Sequence, residues 1–260
     1  MKIIFEIYYH TRWGESLFLS GDIDELGANE ENRAVMMDYQ GDGLWKYTME
    51  LPASAKKFHY EYLVFRGEGI RREWGSPHSF SPGRNAGKYR LVDRWRDVPA
   101  NLPFYSSAFI QGIFFRQHAD SVVETIEQGT FTVKVDAPQL RPDERLVMVG
   151  DCPELGDWDV LKAPLLNDSA FPEWQITLDG RQLKFPFEYK FVIVRTHQRE
   201  VVAWETGENR ICREKPQNPS EAVVVSGLRF NGSESQWRGA GTAIPVFSLR
   251  TDYGLSLIHI

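Results

Sequence analysis

Cysteine is nearly missing from this chain: two residues in 260, Cys152 and Cys212. Two cysteines exclude a disulfide framework. Two reduced thiols are the expectation, with one bridge as the alternative. A basic excess is also missing, since 36 Asp and Glu outnumber 30 Lys and Arg for a net charge of -6. That balance argues against a phosphate-binding surface, so no nucleic-acid partner is expected. No stretch approaches the roughly 18 apolar residues of a membrane helix. The opening MKIIFEIYYHTRWGE has neither the apolar run nor the small-residue cleavage site of a signal peptide. A cytoplasmic protein with no membrane partner is expected, and the Asn167 and Asn231 sequons then count as chance matches. The six histidines are scattered, with no HExxH and no paired ligand spacing, and neither a GxSxG nor a P-loop occurs. Neither cysteine has an arginine six places on. No metal and no cofactor are expected.

Aromatic side chains, by contrast, are plentiful. They make up 13% of the chain and include eight tryptophans, more than a core alone requires, so some are expected on a binding surface. The length suits about two domains, each able to bury a core. Short alternating runs punctuated by turn residues fill residues 3–92: IIFEIYY, LFLS, LWKYTMEL after Gly41-Asp42-Gly43, FHYEYLVF and IRREW. This is the pattern of an antiparallel sandwich. The pattern restarts at Phe131. RLVMVGD parallels LFLSGD, EWQITL parallels LWKYTM, FEYKFVIV parallels FHYEYLVF, and REVVAWE is matched with GIRREW. A repeat of about 130 residues is too long for a solenoid and predicts tandem domains. Between the copies, VPANLPFYSSAFIQGIFFRQ is rich in proline and aromatics, which predicts a linker packed on a neighbour rather than a flexible tether.

At LGDW (155–158), EYKF (188–191) and WETGENR (204–210) the second copy resembles the family 20 carbohydrate-binding modules, the starch-binding domains. The first copy resembles them more weakly. YYHTRWGESL, the doubled module, the aromatic linker and the closing GAGTAIPVFSLR are together similar to the N-terminal region of the plant-type disproportionating enzymes. Those are 4-α-glucanotransferases, or amylomaltases, of glycoside hydrolase family 77. The resemblance implies an all-β chain of two tandem immunoglobulin-like antiparallel β-sandwich modules, followed by the truncated start of a (β/α)8 barrel. The expected boundaries are 1–97 for a degenerate first module, 98–127 for a linker, 128–218 for the second module, 219–235 for a second linker and 236–260 for the barrel start.

A glucose ring offers a face of C–H bonds that stacks on a flat aromatic side chain. Two rings set at an angle follow the curl of an α-1,4-glucan. The resemblance implies that Trp158 and Trp204 form such a platform, that Lys190 donates to sugar hydroxyls and that Glu205 and Asn209 line the same site. Arg210 is expected to brace the loop against a carboxylate. Trp174 recurs as Trp45, which marks both as core. In the first copy Asn29 stands where Trp158 does, Glu61 matches Lys190, and Trp74 is taken as the surviving equivalent of Trp204. The family's second site implies Trp13 and Tyr39 in the first copy, whereas the second copy has Pro142 in place of Trp13. One site of a different kind in each module is therefore expected.

The partners implied are starch, glycogen, maltooligosaccharides or cyclodextrin, together with the catalytic barrel of the same parent chain. The resemblance places the two catalytic carboxylates on later barrel strands, so residues 1–260 alone are expected to be inactive. The rival reading makes the sandwiches interaction or scaffold domains that contact the barrel or another subunit.

Overall fold

The computed structural model describes residues 1–52, 54–67, 69–83, 87–116 and 124–232. The expected barrel start at 236–260 lies outside them. In the first copy, strand-forming runs between Gly- and Asn-bearing turns become β1 (Lys2–Tyr8), β2 (Glu15–Gly21), β3 (Val35–Met36), β4 (Asp38–Gly41), β5 (Leu44–Glu50), β6 (Phe58–Arg66), β7 (Gly69–Arg72), β8 (His78–Phe80) and β9 (Lys88–Arg94). The linker forms a 3-10 turn at Leu102–Tyr105 and a six-residue helix α1 (Ser107–Gly112), capped by the Ser106 side chain. The second copy supplies β10 (Thr130–Asp136), β11 (Glu144–Gly150), β12 (Asn167–Ala170), β13 (Glu173–Asp179), β14 (Phe187–Arg195), β15 (Val201–Trp204), β16 (Arg210–Cys212) and β17 (Ala222–Arg229). The all-β reading agrees with this.

The repeat is visible atom by atom at a shift of 129 positions, or 128 at the carbonyls that accept from the repeated tryptophans. Trp45 Nε1 donates to the Tyr9 carbonyl at 3.0 Å, and Trp174 Nε1 donates to the Ala137 carbonyl at 3.0 Å. Gly21 and Gly150 lie against the carbonyls of His59 and Glu188, where an added Cβ would sit 2.6 and 2.4 Å from those oxygens. Only glycine allows so close an approach.

Each copy packs a small antiparallel sheet on part of a long one. The small sheets run β3-β2-β6-β7 and β11-β14-β15, with β8 paired to β6 and β16 to β14. The long sheet is shared by both copies, in the order β12-β13-β10-β17-β9-β1-β5-β4. β17 and β9 join the copies through parallel pairs from Ala222–Tyr89 to Ser226–Asp93. This corrects the expected boundary at 218 and the linker at 219–235, because residues 222–229 form a central strand. The run Ala-Val-Val-Val explains why. Ala222 and Val224 enter the first core while Val223 and Val225 enter the second, as in a parallel sheet buried on both faces. Since neighbouring strand residues point oppositely, the two small sheets lie on opposite faces of the long one.

A buried polar cluster ties this seam. Asp93, 0% exposed, accepts from Tyr60 at 2.9 Å, Tyr62 at 2.6 Å and Ser226 at 2.5 Å. His78 bridges Ser226 (3.2 Å) and Glu73 (3.1 Å). The order Ser226–His78–Glu73 has the look of a hydrolytic triad, but the serine is buried and its hydroxyl is given to Asp93, so it acts as mortar. Cys152 and Cys212 are free thiols in the second core. Burial pushes Cys152 up to about 11 and raises Cys212 as well, which leaves both inert as nucleophiles.

Candidate functional site

Trp158 and Trp204 reach one face by different routes. Trp204 ends β15 opposite Val192 of β14, which in turn stands opposite Val147 of β11. Lys190 stands opposite Val149. Paired residues of an antiparallel ladder project to the same side. The positions 190, 192 and 194 therefore share the outer face with Trp204, while Tyr189, Phe191 and Ile193 point into the core. Trp158 arrives from the loop after β11. Gly156, Asp157 and Trp158 run left-handed (φ 81°, 49° and 63°), and the Trp158 amide donates to the Gly150 carbonyl at 2.7 Å. The turn lays the indole against Val147, Val149, Ala163, Val192 and Val194. Trp158 is half-buried there and Trp204 is 43% exposed.

Two basic residues hold this arrangement. Lys190 Nζ donates to the carbonyls of Glu205 (3.3 Å) and Gly207 (2.6 Å). An ammonium has three N–H groups, so one remains for a ligand. Arg199 Nη1 donates to the carbonyls of Val160, Leu161 and Ala163 at 3.4, 3.0 and 2.6 Å, which pins the Trp158 loop to the β14–β15 turn. Arg199 escaped sequence reasoning because nothing local distinguishes it from other turn cations. Asn209 is exposed and donates to Glu188 at 2.8 Å. Glu188 was also missed, although alternation along β14 puts it on the face of Lys190.

Glu205 is a correction. It is 3% exposed and points inward. Arg210 donates to both of its oxygens, at 3.0 and 2.5 Å, and the Phe191 and Asn231 amides donate at 3.3 and 3.1 Å. It positions the 205–209 loop and does not face solvent. Arg210 is the expected brace, 5% exposed, and also donates to the carbonyls of Arg229 and Gly232. The outer face thus carries two aromatic planes, one tethered cation and an amide–carboxylate pair, a set suited to gripping a neutral polyhydroxylated ligand. Among the described residues no group of three His, Cys, Asp or Glu side chains could hold a metal ion. No helix among them is long and apolar enough to cross a membrane.

The family model described as "Starch binding domain" matches residues 1–84 and 128–223. The chain belongs to the starch-binding domain family. It is 28% identical over 283 aligned positions to 4-alpha-glucanotransferase DPE2 of Oryza sativa subsp. japonica, covering 99% of this chain and 28% of that protein. The chain therefore spans little more than a quarter of that relative. A shorter match, 31% over 73 residues, is to AA13 family lytic polysaccharide monooxygenase A of Aspergillus terreus, over 26% of this chain and 18% of that protein. Among solved structures, the family 20 module of maltotetraose-forming amylase from Pseudomonas saccharophila STB07 is 20% identical with a TM-score of 0.31, covering 37% of this chain and 99% of that one.

In the first starch-binding copy the platform is replaced. Asn29 keeps the backbone of Trp158, with φ 63° and a 2.7 Å bond to the Gly21 carbonyl. The equivalent of Trp204 is not Trp74, which corrects the expected match. Leu63 stands opposite Arg72, as Val192 stands opposite Trp204. Glu73 donates its amide to the Tyr62 carbonyl and accepts the Tyr62 amide, as Glu205 does with Phe191. The buried glutamates set the register, so Arg72 holds the tryptophan's place. It pairs there with Glu61 and Glu31, and an ion cluster stands where the second starch-binding copy has indoles. Trp74 is covered instead by the linker. Its ring meets Tyr105 edge-on at 5.0 Å and lies under the Arg229 guanidinium at 5.4 Å.

Trp13 is 97% exposed and Tyr39 57%. Tyr39 lies on Trp45 at 5.1 Å. Trp13 falls between Tyr9, bonded to Gly43, and Leu17, bonded to Met37. Residues on both sides of Trp13 are thus tied to neighbours of Tyr39, and both rings belong to one end of the first copy.

Proposed function

We propose that this chain captures starch- and glycogen-type α-1,4-glucans, maltooligosaccharides and cyclodextrins on the outer face of its second module. Trp158 and Trp204 stack on glucosyl rings, and Lys190 and Asn209 meet the hydroxyls. The observation that carries this reading is the common outer face of the two indoles on one rigid sheet. Trp13 and Tyr39 form a second, lesser contact. The similarity to 4-alpha-glucanotransferase DPE2 supports a role as the N-terminal region of a cytoplasmic 4-α-glucanotransferase, where the modules hold the polymer for the barrel that transfers α-1,4-glucan segments between acceptors. Shallow stacking sites give weak affinity, on the order of 10 µM to 1 mM. Titration with β-cyclodextrin and sedimentation with insoluble starch test this. Trp158→Ala with Trp204→Ala should weaken cyclodextrin binding by about tenfold or more, leaving only the lesser contacts. No binding by the native chain, or undiminished binding by the double variant, would overturn the assignment.

One observation favours an additional scaffold role for the first module. It offers an ion cluster instead of a platform and pairs its β9 with β17, so it holds the second module in place.

A further inference from the structure

The linker ends its first described part in a way that core packing does not explain. Arg116 is 9% exposed and heavily engaged. It bonds Asp168 at 2.9 Å, the Arg141 carbonyl at 3.2 and 3.1 Å and the Glu144 carbonyl at 3.1 Å. Its guanidinium lies 4.7 Å from the Phe171 ring and 5.0 Å from that of Trp174. On the other side, Phe114 is 6% exposed and packed edge-on against Phe104. Between these anchors Phe115 is 67% exposed with φ 56°. An aromatic residue in left-handed backbone costs about 1–2 kcal/mol, and here its ring gains little packing in return. Beside it lies a cleft of about 270 Å³ lined by Phe115, Arg116, Pro142, Arg145 and Asp168. Arg145 is fixed through Nη1 on the carbonyls of Pro142 and Glu144, both at 2.8 Å.

The cleft has a counterpart in the repeat. The shift of 129 positions carries Trp13 to Pro142, Tyr39 to Asp168 and Trp45 to Trp174. In the first module Tyr39 rides on Trp45. In the second, the linker's Arg116 rides on Trp174. An exposed ring from the linker, Phe115, therefore stands beside the positions, Pro142 and Asp168, where this copy has no aromatic side chains of its own.

We propose that this cleft is a further carbohydrate site, completed by the linker, that holds one or two glucosyl units of an α-1,4-glucan. It rests on the reading of the chain as a glucan binder. The C–H face of the sugar stacks on Phe115, Arg145 donates to one hydroxyl and Asp168 accepts from its neighbour. Two cations and one carboxylate around the cleft suit a neutral diol, since a phosphate would meet the Asp168 charge. Its size, just below the roughly 300–1,000 Å³ of drug-sized pockets, fits so small a ligand.

The test is calorimetric titration with maltoheptaose in a background lacking the other aromatic contacts: Trp13→Ala, Tyr39→Ala, Trp158→Ala and Trp204→Ala. That background should keep millimolar binding. Phe115→Ala should weaken it at least tenfold, and Phe115→Trp should retain it and add a fluorescence response to the sugar. Phe115 is exposed, so these changes spare the fold. Absence of binding in the background, or binding there that ignores Phe115→Ala, overturns this proposal and leaves the Trp158–Trp204 reading standing. Failure of the native chain to bind maltoheptaose overturns both.

Discussion

Glu205→Gln separates a positioning carboxylate from a sugar contact. The side chain accepts two bonds from Arg210 and two from backbone amides. The amide keeps one acceptor and turns an NH2 toward donors. Removing one partner of a buried ion pair costs about 3–5 kcal/mol. Arg210 retains the carbonyls of Arg229 and Gly232, at 2.8 and 2.9 Å, which argues for the lower end, about 3 kcal/mol. The shared sheet makes the described residues one cooperative unit, and for chains of this size each kcal/mol shifts the melting midpoint by roughly 2–4 °C. The midpoint should fall by about 6–12 °C. Cyclodextrin affinity, titrated well below the transition, should change less than threefold. An unchanged midpoint with affinity down tenfold or more would refute the inward placement and return Glu205 to the binding face.

Three further outcomes are expected. Arg199→Ala removes three bonds from the Trp158 loop and should weaken cyclodextrin binding several-fold with about 1–3 kcal/mol lost in urea unfolding. Burial raises Glu73, but the charges of His78 and Arg96 outweigh it and hold the group at about 2 against an ordinary 4.5. Its contribution is complete above 4.5 and lost as pH falls toward 2, so Glu73→Gln should flatten the stability profile in that window. Burial, then Glu173, pushes Asp136 from 3.8 to about 6. This group favours folding below 3.8 and ceases to do so as pH rises through 6, so Asp136→Asn should stabilise the chain at pH 8 and leave it unchanged at pH 3.5.

Strand–turn alternation and recurring glycines and tryptophans made the doubled sandwich legible, because those signals are local. Trp158 and Trp204 were singled out by resemblance, and alternation along β14 and β15 agrees with their common face. The register of β7 was not legible. Matching Trp74 to Trp204 by identity ignored the longer β14–β15 turn and the bulge that falls between Ile193 and Val194 in that pairing, neither of which β6–β7 has. Aligning the buried glutamates instead, Glu73 with Glu205, gives the observed pairing. The β9–β17 seam was missed because pairing between strands more than 120 residues apart leaves no local trace, although four consecutive apolar residues at 222–225 fit a strand covered on both sides.

The seam also decides how this protein can be taken apart. A chain severed at residue 97 would leave β9 with an open edge where β17 belongs, and a chain starting at 128 would bare the matching edge of β17. Unpaired, flat and apolar, such edges recruit strands from other molecules. Each half is therefore expected to dimerise by strand addition or to precipitate, and mixing the halves should restore a soluble heterodimer.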